Sequence, residues 1–173
     1  DGIELQVRAG EVVGLAGVSG NGQKELMWAL SGEDTRAGVQ CGAASVTLAG
    51  QSVASLGPVP RRQMGLHFVP EERLGRGAVP SLSLSQNLLL TRSEALGASG
   101  WVRMGVLADQ ARSIIERFKV KAAGPHAPAQ SLSGGNLQKF IVGREISADP
   151  KLLIVSQPTW GVDVGAAAQI RAE

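Results

Sequence analysis

The chain has 173 residues, 43% of them apolar, and a net charge of +2 from 17 basic and 15 acidic side chains. That is enough to bury a core as one domain with a subdomain, and the balanced charge, without a basic block, argues against nucleic acid as a partner. A single cysteine, Cys41, rules out an internal disulfide and suits a reducing cytosol, and no run approaches the ~20 apolar residues of a membrane span.

The chain opens on Asp1 without a signal peptide and reads as a fragment of a longer polypeptide, one that would act at a membrane only through a partner. Ile3 to Val7 alternates as a half-buried strand does, and Arg8 to Glu11 reads as a hairpin turn. Glu11 to Ala16 is nearly all apolar, which predicts a strand buried on both faces. It runs into Gly17-Val18-Ser19-Gly20-Asn21-Gly22-Gln23-Lys24-Glu25 and then a helical pattern through Leu30, with Gly32 as its left-handed cap. Strand, glycine-rich turn and helix in that order is the setting of a phosphate-binding loop, whose backbone N–H groups converge on phosphate oxygens. The pattern G-x-x-x-x-G-K-[ST] fails at its two charged or metal-binding places, where Gln23 replaces the lysine and Lys24 the hydroxyl. One helical step turns a side chain by ~100°, so Lys24 is expected to point away from the phosphates.

Ala44 to Gly50 predicts another alternating strand, and Leu66 to Val69 a short buried one stopped by Pro70. Ser83-Leu84-Ser85-Gln86 fits a capping box, with the helix continuing from Asn87 to Thr91. After a loop over 97–105, Leu107, Ala111, Ile114, Ile115 and Phe118 form an apolar stripe at helical spacing over 106–119. Residues 122–130, with Pro125 and Pro128, read as a linker. A helix follows Ser133 with Leu137, Phe140 and Ile141 on one face, Asp149-Pro150 breaks it, and Leu152 to Val155 predicts a strongly buried strand. Asp163 can cap a last helix. The order predicts an α/β fold with a core over 1–73 and 151–173 and an inserted helical subdomain over 74–150.

Two further stretches carry chemistry. Ser131-Leu132-Ser133-Gly134-Gly135-Asn136-Leu137-Gln138-Lys139 places a serine and two glycines at a helix start, where unpaired N–H groups face an anion. By itself this also reads as an ordinary N-cap. The strand 152–155 is followed by Ser156-Gln157-Pro158-Thr159-Trp160-Gly161-Val162-Asp163. Leu132 to Gly135 resembles the LSGG signature of ATP-binding cassette (ABC) proteins. Ser156 to Asp163 resembles their Walker B end and D-loop, D-E-P-T-x-G-L-D. Phe68 to Arg73 falls at their Q-loop, with Glu71 in place of glutamine. The finer resemblance is to the second nucleotide-binding half of bacterial simple-sugar and nucleoside importers, in V-P-E-x-R, S-G-G-N-x-Q-K and G-V-D-V-G-A.

The resemblance implies a P-loop NTPase core with an antiparallel β edge, and ATP and Mg²⁺ as cofactors. Gly17, Ser19, Gly20, Asn21, Gly22, Gln23, Lys24 and Glu71 would line this half's own nucleotide site. Ser133, Gly134 and Gly135 would close over the nucleotide held by the first half of the same subunit, and Asp163 would complete that composite site where the D-loop meets the partner. Ser156 and Gln157 stand where the magnesium-binding aspartate and the catalytic glutamate belong, so no residue of this half is assigned as catalytic or as a metal ligand. Glu71 is either a metal-facing carboxylate or a surface loop acid. The implied partners are that first half, transmembrane permease subunits and, indirectly, a solute-binding protein, at the cytoplasmic face of the bacterial membrane. Three functions remain in view: a lid over the partner's ATP, a structural or regulatory half that never binds nucleotide, and a cassette protein of translation or repair. The short span from Glu72 to Ser131 weighs against the last. Trp28 reads as core, Trp101 and Trp160 as interface or packing, and His67 and His126 as strand and linker residues.

Overall fold

The computed structural model describes residues 3–18, 20–33, 46–92, 101–159 and Ala167. Ser19, Cys41, Trp160, Asp163 and the first part of the strand predicted at 44–50 lie outside the described residues.

The parallel sheet joins two short apolar runs. β3 (Leu66–Val69) lies beside β4 (Leu152–Val155), with Leu66 opposite Leu152 and Val69 opposite Val155. β1 (Thr47–Leu48) and β2 (Gln51–Ser52) form a separate antiparallel hairpin that turns at Ala49-Gly50, so the strand predicted at 44–50 ends two residues early. Successive side chains leave a strand on opposite faces. Leu66, Leu152 and Ile154 accordingly join Leu48 and Val53 in one apolar cluster, while Val69, Leu153 and Val155 join a larger one built on the helices. β3 is buried throughout, as predicted, but β4 is only half-buried, not the strongly buried strand expected.

The strands expected at 3–7 and 11–16 are absent. The segment 3–18 has neither strand nor helix, and Val12, expected inside the sheet, is 96% exposed. Only the turn survives, closed by the Glu11 N–H on the Arg8 carbonyl at 3.0 Å. An apolar run specifies burial only when a ladder partner satisfies its backbone groups, and β4 takes its ladder bonds from β3 alone among the described residues.

Local signals fare better. α1 (Gln23–Ser31) ends at Gly32 with φ 81°. A Cβ there would meet the Leu56 carbonyl oxygen at 2.8 Å and Arg61 Nε at 2.9 Å, so the site needs glycine for space as well as for φ. Buried Arg61 donates from Nη1 to the Ala29 and Leu30 carbonyls at 2.6 and 2.7 Å, capping the negative end of α1. It sits on α2 (Pro58–Gln63), a helix that the two prolines disguise as a breaker. Prolines in a first helical turn remove N–H groups that have no intrahelical acceptor anyway.

α3 (Leu84–Asn87) carries both halves of the capping box, at 3.1 Å from the Gln86 N–H and 3.0 Å from the Ser83 N–H. A 3₁₀ turn over Leu88–Leu90 replaces the expected continuation to Thr91. α4 (Met104–Arg117) presents Leu107, Ala111 and Ile114 to α5 (Gly134–Ile146), which answers with Leu137, Phe140 and Ile141. α5 is buried far beyond its apolar stripe, and Gln138, Lys139, Arg144 and Glu145 are all inside.

The α4 end packs tightly on α5 at Gly143, where a Cβ would lie 2.6 Å from the Phe118 ring. Gly143→Ala gains about 1 kcal/mol of helix propensity but forces the ring aside, at about 1–3 kcal/mol. We expect a lowered melting temperature, with Phe118→Leu in the same chain recovering part of the loss. A melting temperature at or above the parent's would contradict this packing.

Candidate functional site

The glycine-rich loop enters α1 through Gly22, the N-cap, at φ 96°, after Gly20 at φ 90°. Both conformations strain any residue with a Cβ. The Gln23 side chain folds back over this loop. Its Oε1 accepts the Asn21 N–H at 3.1 Å, and its Nε2 donates to the Val18 carbonyl at 2.9 Å. The same Nε2 lies 2.7 Å from where a Cβ on Gly17 would sit.

Lys24 leaves in another direction. Its Nζ pairs with Glu72 Oε1 at 3.3 Å and stands 5.5 Å from the Trp28 ring centre. Arg76 pairs with Glu72 at 3.2 Å and with Glu33, and its guanidinium stands 5.9 Å from the same ring. Slight burial opposes ionisation of Glu72, but hydrogen bonds from Lys24 and Arg76, with their charges, hold its pKa below the ordinary value. Trp28 is thus not the core residue expected. It is half-buried between two cations, a cation–π arrangement that links α1 to the segment after β3. Glu71, next in chain, is half-buried. Ser156 and Gln157 follow β4, with the Ser156 N–H on the Val69 carbonyl at 2.9 Å and Gln157 at φ 50°. Among the described residues no three His, Cys, Asp or Glu side chains are grouped to hold a metal.

The second motif is built differently. Ser133 is the N-cap of α5, and its side chain makes no capping bond. Ser133 and Gly134 are exposed while Gly135 is buried. Asn136 Nδ2 donates to Ser133 Oγ at 2.8 Å, and Asn136 Oδ1 accepts the Lys121 N–H at 2.8 Å. The serine oxygen is therefore held as an acceptor, which leaves its proton to be donated outward. Gln138 Oε1 accepts from Arg73 Nε at 3.1 Å, and Lys139 Nζ donates to the Lys119 carbonyl at 3.1 Å, at the end of α4. The roles of Asn136, Gln138 and Arg73 escape periodicity, because each is a contact between segments. Their only trace in the sequence is that they fall inside the two motifs. Trp101 is 81% exposed, just ahead of α4.

At the far end of α5 lies a buried ionic cluster. Glu145 accepts from Arg62 Nη1 at 2.5 Å and from Arg144 Nε at 2.9 Å, and its Oε2 is 2.9 Å from His67 Nδ1. Burial alone would raise the Glu145 carboxyl. The His67 hydrogen bond and the charges of Arg144 and Arg62 outweigh it and bring the pKa down to about 2. Arg144 Nη1 continues to the Asn87 carbonyl at 3.2 Å. Asn87 Nδ2 in turn holds the Val79, Leu82 and Ser83 carbonyls at 3.0–3.2 Å. The cluster thus ties α2, β3, α3 and the far end of α5 into one unit.

The ABC transporter family model matches residues 1–160, which takes in the glycine-rich loop, the serine-glycine helix start and the end of β4. The chain belongs to the ABC transporter family. It is 43% identical over 98% of its length to a glucose import ATP-binding protein of Haloferax volcanii, covering 30% of that protein. It is 40% identical over 95% of its length to a guanosine import ATP-binding protein of Bacillus subtilis, covering 32% of it. The chain therefore spans about a third of the curated relatives it matches. A bacterial ABC transporter cassette solved as a dimer superposes with a TM-score of 0.71, at 18% identity, over 97% of this chain and 69% of that one. The protein cbiO1 of Clostridium perfringens, part of the ABC transporter complex cbiONQ, gives 0.69 at 16% identity, over 99% and 63%. These likenesses show the P-loop NTPase fold of ABC cassettes. ABC ATPase domains bind ATP with Mg²⁺. No helix among the described residues is long and apolar enough to cross a membrane.

Proposed function

We propose that this ABC domain is the second half of an importer ATP-binding subunit for a sugar or nucleoside, and that it acts on the ATP held by the first half. Residues 1–73 and 151–173 would form its core and 74–150 the subdomain that faces a permease. Its own loop does not fit a magnesium-held triphosphate. The cradle is filled by the Gln23 carboxamide, Lys24 is paired with Glu72, and Ser156 and Gln157 offer no carboxylate to a metal.

The observation that carries the reading is the start of α5. Ser133 and Gly134 are exposed, the first-turn N–H groups have no side-chain cap, and Asn136 orients the hydroxyl. Such a helix start donates hydrogen bonds to an anion delivered from outside. When bound in the partner half, ATP supplies that anion and the chemistry. Ser133 and the N–H groups of 134–136 would donate hydrogen bonds to its phosphates, and Asp163 would meet the partner half.

In the complete transporter, replacing the partner half's phosphate-loop lysine with Ala should then remove all ATP turnover, although the present half is untouched. Turnover persisting in that variant would show that this half hydrolyses ATP itself.

A further inference from the structure

We infer that Gln23 is an intramolecular occupant of the phosphate cradle, which keeps this half's loop folded and closed without nucleotide. The inference deepens the reading of a half that does not turn over ATP, and rests on it. A phosphate-binding loop collects backbone N–H groups around an anion. Here the Asn21 N–H is already taken by Gln23 Oε1 at 3.1 Å. The amide's other end is anchored to the Val18 carbonyl at 2.9 Å, on the far side of the loop. Between these anchors the carboxamide lies across Gly17, 2.7 Å from where a Cβ would be, so the space a glycine leaves open is filled by this chain's own side chain.

Glutamine suits that task. It both accepts from an N–H and donates to a carbonyl, which a lysine cannot do and a phosphate cannot do without a proton. The second substitution supports the first. Lys24 is held by Glu72 and by the Trp28 ring, and Glu72 is shared with Arg76, so the only cation of residues 17–25 is committed away from the cradle. An entering triphosphate would have to displace Gln23 and would meet no free cation from residues 17–25. The same contacts connect α1 to the segment after β3.

The test uses the complete subunit with the first half's phosphate-loop lysine replaced by Ala, titrated with magnesium ATP. Gln23→Ala should bind several-fold more tightly than the parent, because the cradle is vacated. Gln23→Lys with Lys24→Ser should bind at least tenfold more tightly again, since a charge-assisted bond and a hydroxyl are restored. In the same samples the Asn21 amide should exchange faster with deuterium in Gln23→Ala, and Gln23→Glu should bind no ATP. If Gln23→Ala binds no more tightly than the parent and its Asn21 amide exchanges no faster, the cradle was never occupied and the inference falls. Turnover with Gln23 intact in this background would overturn the functional reading instead, so the two failures are distinguishable.

Discussion

Ser133→Arg in the complete transporter should abolish ATP hydrolysis and solute uptake while leaving the melting temperature of the subunit near the parent's. Ser133 is exposed, and its side chain bonds only Asn136 among the described contacts, so the fold loses little. The site loses much more. Removing one donor aimed at developing charge typically costs ~10²–10³ in rate, and the arginine adds bulk where a partner's nucleotide must approach. Ser133→Ala separates the two effects, since it removes the hydroxyl without obstruction and should fall in that ~10²–10³ range. Full activity in Ser133→Arg would mean that the helix start does not touch the partner's ATP.

Glu145→Ala should be the most destabilising single change in the helical region. Glu145 is fully buried between Arg62, His67 and Arg144, and Arg144 is itself buried. Removing one partner of a buried ion cluster leaves uncompensated charge and costs about 3–5 kcal/mol, read as a lowered urea midpoint. The loss should exceed that of Gly143→Ala, where a ring shifts but no charge is orphaned. The pH dependence has a definite sign. The folded pKa is depressed from 4.5 to about 2, so this stabilisation is complete above pH 4.5 and lost as pH falls towards 2. At 1.36 kcal/mol per unit the drop across that window is about 3 kcal/mol. Glu145→Gln removes the titrating group, and its stability should change less between pH 4.5 and 2. An equal slope in the two proteins would place the acid sensitivity elsewhere.

The two ends of α5 fit the proposed division of labour. The Ser133 end is presented outward, and the opposite end is anchored in α2, β3 and, through Arg144 and Asn87, in α3. In the glycine-rich loop, by contrast, Gln23 bonds the Asn21 N–H and the Val18 carbonyl.

What the sequence determined by itself was local. The Gly32 cap, the Ser83–Gln86 capping box, the stop of β3 before Pro70 and the Ser133 helix start each depend on residues a few positions apart. Backbone conformation and short-range hydrogen bonds therefore settle them whatever the rest of the chain does. The motifs that mark the ABC family were legible for the same reason. Tertiary structure decided the rest. Whether Glu11 to Ala16 pairs is a property of its neighbours, not of its apolar side chains, and here it has no ladder. Trp28 could have been core, but Lys24 and Arg76 take its ring and leave it half-buried. Glu72 lies 48 residues from Lys24, and Glu145 lies 83 from Arg62. A charge meets its counter-charge only where packing brings the two segments together, and no periodicity records that distance.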